Sequence, residues 1–117
     1  MSSESVRNMP FDADYTASNG PIAIDRRSKP SALTELSAGF VEFTETGATE
    51  PWTLPYEEVL YVINGELTLT QDGREVSGQA GDLITLERGS TVVYAGTAGT
   101  RLVFSLVPAN WLETMEQ

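Results

Sequence analysis

The sequence contains neither cysteine nor histidine among its 117 residues. Without cysteine, the chain forms no disulfide and has no thiolate nucleophile. Without histidine, it lacks both the commonest general base and the commonest transition-metal ligand. We therefore expect a site without metal or cofactor, in which any acid–base chemistry comes from carboxyl or phenol groups.

Basic residues are scarce, since 7 Lys and Arg stand against 17 Asp and Glu and give a net charge of −10. Nucleic acids and anionic membrane surfaces both require clustered cations, so neither is an expected partner. The acidity itself is explained by solubility. No run of residues approaches the roughly 18 apolar residues of a membrane span, and no apolar signal region follows Met1. These features predict a cytoplasmic protein.

Helical periodicity is also rare, and short strand-like segments separated by turn residues fill most of the chain. Asp72-Gly73 is the strongest hairpin signal. The pattern predicts an all-β, antiparallel jelly-roll barrel of about eight strands. We expect an irregular N-terminal arm over residues 1–20 and one barrel domain over residues 21–117, ending in a short helix within Ala109–Gln117. The predicted strands are Ile22–Arg27, Ala38–Thr44, a long central strand beginning at Trp52, Glu66–Thr70, Arg74–Gln79, Leu83–Leu86, Thr91–Ala95 and Arg101–Val107.

The central strand is predicted over Trp52–Gly65, a stretch rich in β-branched and aromatic residues. Its side chains alternate between two faces, and one acid, Glu58, lies in an otherwise apolar row. The opposite face carries Val59, Tyr61 and Ile63. Because both faces are apolar, one would fill the barrel and the other would pack on a second sheet or a second subunit. We therefore expect a homodimer.

The spacing of Glu58 and Gly65 resembles the end of the first cupin motif, and Gly81 and Gly89 match glycines of the second. This alignment implies the cupin-type barrel. It also places apolar residues where cupins carry their histidine ligands and leaves Glu58 as the one ligand in common. The residues at the histidine positions are Trp52, Leu54 and Val92.

Three segments give a narrower resemblance, namely Pro51–Glu58, Val107–Trp111 and Gly39–Phe43. They are similar to the ethanolamine-utilisation protein EutQ family, over roughly residues 35–112. The resemblance implies a link to ethanolamine-type or small organic acid metabolism. It also implies an acetate kinase activity as one alternative, since relatives have been assigned that activity.

The candidate catalytic residues are Glu58 and Tyr56, which lie two positions apart on the same predicted face. A carboxyl group inside a barrel is either neutral or paired, so Glu58 is suited to proton transfer or ligand contact. Alternation favours an outward Glu42, whereas the resemblance keeps it as a pocket candidate. The predicted ligand pocket consists of Glu42, Trp52, Leu54, Tyr56, Glu58, Val92, Tyr94 and Phe104.

Three functions remain open from the sequence. The favoured one is a metal-free cupin that binds an unidentified small organic molecule. The second is a metal-independent isomerase, cyclase, lyase or EutQ-like acetate kinase that uses Glu58 and Tyr56 as acid and base. The third is a dimeric interaction module with a filled barrel. If ATP binds, its phosphates would meet Arg26, Arg27, Lys29 or a cation.

Overall fold

A computed structural model describes residues 5–115 of the chain. The described part is built from short strands with one helix at its C-terminal end, which confirms the all-β prediction and the terminal helix. No helix in this part is long and apolar enough to cross a membrane. The elements are a 3-10 helix at Ala13–Tyr15, then β1 Thr16–Asn19, β2 Ile22–Asp25, β3 Ser37–Phe43, β4 Gly47–Ala48, β5 Trp52–Thr53, β6 Glu57–Asn64, β7 Glu66–Gln71, β8 Arg74–Gln79, β9 Leu83–Leu86, β10 Thr91–Gly96, β11 Arg101–Val107 and α1 Trp111–Met115.

The strands form two antiparallel sheets that pack face to face as a jelly roll. One sheet has the order β1-β2-β3-β11-β6-β9, and the other has the order β4-β10-β7-β8 with β5 also paired to β10. Burial alternates along β6 and β11 as the side-chain period of 2 requires. Their inward residues, including Val62 and Leu102, form the core with Leu67 of the second sheet. The predicted jelly-roll barrel is thus confirmed.

The stretch Trp52–Gly65 is not one strand, which corrects the sequence prediction. β5 pairs with β10 in one sheet, whereas β6 pairs with β11 and β9 in the other. The break lies around Pro55, which has no N–H for a sheet hydrogen bond, and the chain crosses there from one sheet to the other. Leu54, Tyr56 and Glu58 are nevertheless all buried, as the alternation predicted.

The N-terminal segment is more ordered than the predicted irregular arm. Residues 1–4 lie outside the described part, and residues 5–12 contain neither strand nor helix. β1 then pairs with β2 as an antiparallel hairpin. Phe11 lies under the Arg27 guanidinium, whose carbon is 5.8 Å from the ring centroid. At the other end, the part of the predicted Ala109–Gln117 helix beyond Met115 lies outside the described residues.

Candidate functional site

A cavity of about 790 Å³ lies between the two sheets. The inward faces of β2, β3, β6, β10 and β11 line its walls, while the loop between β2 and β3 and the helix α1 contribute further lining residues. The Ala109 N–H donates to the Glu35 carbonyl at 2.9 Å and so ties the loop to the segment before α1. The cavity is therefore built from distant parts of the sequence.

Glu58 lies on the inward face of β6 and is 8% exposed. The Tyr94 hydroxyl of β10 donates to Glu58 Oε1 at 3.0 Å. Burial raises the pKa of the Glu58 carboxyl to about 7, because a charged group is poorly solvated there, and the hydrogen bond from Tyr94 opposes this only in part. Both the neutral acid and the carboxylate are therefore populated near neutral pH.

Tyr56 is close to Glu58, but its hydrogen bond goes elsewhere. The Trp52 indole N–H donates to the Tyr56 hydroxyl at 3.1 Å, so the described partner of Tyr56 is Trp52 and that of Glu58 is Tyr94. Burial, followed by the nearby charge of Glu58, raises the pKa of the Tyr56 hydroxyl to about 12. At neutral pH Tyr56 is thus a neutral hydrogen-bonding group.

Trp111 of α1 completes an aromatic wall beside this pair. Its ring meets those of Trp52 and Tyr56 edge-on, with centroid distances of 5.9 Å and 5.3 Å. Edge-to-face contacts of this kind hold the rings at defined angles. The sequence predicted a helix here but did not indicate that Trp111 lines the pocket, because this contact depends on how α1 docks.

Part of the predicted pocket lines the cavity and part does not. Leu54 and Val92 are buried, at 1% and 5% exposure, but belong to the packed core outside the lining. Glu42 is exposed, because it alternates with Val41 and Phe43, which both face inward. The structure thus places these three residues outside the cavity lining, and for Glu42 it agrees with the outward position that alternation favoured. The predicted residues that do line the cavity are Trp52, Tyr56, Glu58, Tyr94 and Phe104.

The site does not fit a transition metal of the cupin kind. Where the cupin motifs carry histidines, this chain has Trp52, Leu54 and Val92, none of which offers a lone pair to a metal. Among residues 5–115, no three acidic side chains lie close enough together to hold an ion. Glu58 alone keeps the position of a cupin ligand, and its described partner is a tyrosine.

Two cations, Arg26 and Lys29, also line the cavity. From the sequence, both residues were expected only as candidate contacts for the phosphates of ATP. A signal for Arg26 was present, because Ile22, Ile24 and Arg26 alternate onto one face of β2 and its extension. That signal gains meaning only once β2 is known to form a wall of the cavity.

Comparison with known proteins shows which family the chain belongs to. The family profile described as Ethanolamine utilisation protein EutQ matches residues 29–113. The chain belongs to the EutQ family. The structure of the Clostridium difficile EutQ protein is similar with a TM-score of 0.75 and 26% identity, over 87% of this chain and 82% of that one. An RmlC-like cupin from Shewanella frigidimarina NCIMB 400 has a TM-score of 0.71 at 18% identity, over 92% of this chain and 93% of that one, and shows the shared cupin fold.

Among curated EutQ proteins, the acetate kinase EutQ of Clostridioides difficile strain 630 is 40% identical over 76 residues. The match covers 65% of this chain and 47% of the relative, so the chain spans about half the length of that EutQ protein. The predicted membership in the cupin and EutQ families is therefore confirmed.

Proposed function

We propose that this EutQ-family cupin binds a small organic molecule in its barrel cavity, with Glu58 and Tyr56 at the polar centre and without a metal. The observation that carries the proposal is the buried Glu58 carboxyl beside the cavity. Its Oε1 accepts from Tyr94, whereas its Oε2 accepts no hydrogen bond from the described residues. A carboxyl has about four acceptor positions, so Glu58 keeps capacity for a ligand. The cavity of about 790 Å³ supports binding over the alternative of a filled barrel.

A thermal-shift panel tests the proposal on the wild type and two variants. The panel contains small carboxylic acids, aldehydes, ATP with magnesium, and divalent metals. A ligand at roughly 100 times its Kd should stabilise the protein by about 2.7 kcal/mol. We expect this shift to disappear in Glu58→Gln and to persist in Glu57→Gln, which removes the same charge from an exposed neighbour. A shift of equal size in all three proteins would locate binding outside the barrel.

A second candidate is a metal-independent enzyme in which Glu58 transfers a proton in an isomerase, cyclase or lyase reaction. The supporting observation is that the Glu58 pKa of about 7 lies near the operating pH, where an acid–base group is most effective. Substrates found by the thermal panel should be converted by the wild type and be turned over roughly 10²–10⁴ times more slowly by Glu58→Gln. Unchanged turnover in that variant would eliminate this mechanism.

Acetate kinase activity is one form of the second candidate function, because the curated relative from Clostridioides difficile is named acetate kinase EutQ. The chain corresponds to only 47% of that relative, so the activity needs its own assay. Release of ADP from magnesium ATP would be measured with and without acetate, using the wild type and Glu58→Gln. ADP release that depends on acetate and on Glu58 would support the kinase. Its absence in the wild type would remove it.

The proposal also includes a second copy of the chain as partner. From the sequence, one apolar face of β6 was expected to fill the barrel and the other to pack on a second sheet or a second subunit. The inward face of β6 already packs with residues of the second sheet in the core. For the outer face, a second subunit is the alternative that remains. Val59, Tyr61 and Ile63 remain between 36% and 44% exposed on the outer face. Apolar patches of this kind mark interaction surfaces, which supports a homodimer.

A further inference from the structure

Arg26 is directed into the cavity by the alternation of β2. Ile22 and Ile24 line the cavity and pair with Phe43 and Val41 of β3, which line it as well. Arg26 follows β2 directly on the same face and also lines the cavity. This position lies before residues 29–113, so the EutQ family profile does not cover it.

The neighbouring Arg27 differs from Arg26, because its guanidinium has partners within the protein. Arg27 faces outward, where it forms an ion pair with Asp25 at 2.7 Å and lies 4.7 Å from the Phe40 ring centroid. The Arg26 side chain, in contrast, makes no hydrogen bond or ion pair within the described part of the chain. A half-buried guanidinium stays charged and carries five donors, so it favours an oxyanion partner.

The cavity lining therefore contains a cation, Arg26, and a carboxyl group, Glu58, together with Tyr56. The pKa of the Tyr56 hydroxyl responds to both, since the charge of Glu58 raises it and the charge of Arg26 lowers it. A ligand that satisfies both groups has a negative group at one end and a hydrogen-bonding group at the other. Acetate does not satisfy both groups, because its second end is a methyl group, which cannot form a hydrogen bond with Glu58.

Other charges around the cavity do not reverse this preference. Lys29 adds a second cation, while Glu50 and Glu113 add two acids, and all three side chains are exposed. Water and salt screen exposed charges strongly. The half-buried Arg26 and the buried Glu58 are screened less, so they dominate recognition.

We propose that the cavity binds a small organic oxyanion, with its carboxylate or phosphate held by Arg26 and a hydroxyl or amino group at its other end against Glu58. This inference rests on the proposed binding function and names the chemical class of its ligand. Arg26 is thereby the residue that determines specificity for the anionic group, through the paired hydrogen bonds that a guanidinium offers an oxyanion.

Isothermal titration calorimetry on the full chain tests the inference with matched probes. The probes are short ω-hydroxycarboxylates with their uncharged hydroxyamides, and glycerol 3-phosphate with glycerol. We expect the wild type to bind at least one anion at least tenfold more tightly than its uncharged counterpart. The carboxylate and phosphate arms show which oxyanion the site prefers.

Variants then assign the preference to Arg26. Arg26→Gln should weaken binding of the anion at least tenfold, and Arg26→Lys should give an intermediate affinity because it keeps the charge but not the planar fork. Arg88→Gln, which removes an exposed arginine outside the cavity, should leave the affinity unchanged. The wild-type comparison requires no variant, so it stands even if Arg26→Gln fails to fold.

Two results would overturn the inference and leave the proposed function intact. One is equal affinity for the anions and their uncharged counterparts, and the other is wild-type anion affinity in a folded Arg26→Gln. Failure of every probe, accompanied by a thermal shift that depends on Glu58, would also overturn it while the binding function stands. Failure of every probe without any such shift would count against both.

Discussion

Glu58 makes the stability of the fold depend on pH in a definite direction. Its pKa rises from 4.5 to about 7 on folding, so the folded state binds this proton more tightly than the unfolded state. The stabilisation from the neutral carboxyl is complete below pH 4.5 and is lost as the pH rises through about 7. A shift of this size corresponds to about 3 kcal/mol.

Glu58→Gln should therefore be about as stable as the wild type at about pH 4, below the unfolded pKa, and about 3 kcal/mol more stable at about pH 8. Glutamine stays neutral and its carbonyl still accepts from Tyr94. Urea unfolding across this pH range gives the free energy of unfolding of both proteins. In the difference between the wild type and the variant, the effects of the other acidic residues cancel. Glu57→Gln is the control and should run parallel to the wild type. A parallel curve for Glu58→Gln would show that the carboxyl is not destabilised by burial.

At the scale of single residues, the sequence predicted which side chains face inward better than it predicted their hydrogen-bond partners. Alternation placed Tyr56 and Glu58 on the inside, and the structure has them there. It could not supply Tyr94 as the partner of Glu58, because the two residues are 36 positions apart and belong to different sheets. Cross-sheet contacts depend on how the sheets pack, and local periodicity carries no information on that.

At the scale of elements, strands bounded by clear turn residues were predicted well, and the two-residue strands were missed. β8, β9 and β11 have the predicted bounds. β4 and β5, of two residues each, exist because β10 pairs with them. Such strands have no internal pattern, so their existence depends on tertiary structure. The same holds for the crossing near Pro55, where an apolar run that reads as one strand is divided between two sheets.

The turn from β6 to β7 should be sensitive to a single methyl group. Gly65 has a φ of +85°, and a Cβ there would lie 2.7 Å from the Cα of Thr100, which is fully buried. Gly81 has a similar φ of +94° but no atom within 4 Å of its ideal Cβ. Gly81→Ala should thus cost about 1–2 kcal/mol from the backbone conformation alone. Gly65→Ala should cost clearly more, because Thr100 must also move.

Chemical denaturation of the two variants measures this difference directly. The comparison is matched, since both changes add one methyl group at a left-handed glycine. A folded Gly65→Ala protein no less stable than Gly81→Ala would contradict the expected clash. The Thr100 hydroxyl, which accepts from the Glu66 N–H at 3.2 Å, would be the first hydrogen bond to be lost.

At the scale of the whole molecule, the two faces of the six-stranded sheet differ in what covers them. The inner face carries the core and the cavity. On the outer face, cross-strand pairing aligns Phe40, Val103, Tyr61 and Leu83 in one row across β3, β11, β6 and β9. Leu83 is 61% exposed and Tyr61 is 44% exposed. Arg27 and Arg101 lie over the Phe40 ring, so the exposed apolar part of the row is centred on Tyr61 and Leu83. A second copy of the chain is the partner proposed above for this part of the sheet.

A charge placed in this row should separate the proposed dimer. Tyr61→Lys puts an ammonium group into the row. A second copy would have to desolvate this charge, and burying a charge without a partner is costly. Light scattering after size-exclusion chromatography should give the mass of two chains for the wild type and of one chain for the variant. Ser77→Lys, which adds the same charge to an exposed position of the other sheet, should remain dimeric. A monomeric wild type would exclude the dimer, and dissociation by Ser77→Lys alone would move the interface to the five-stranded sheet.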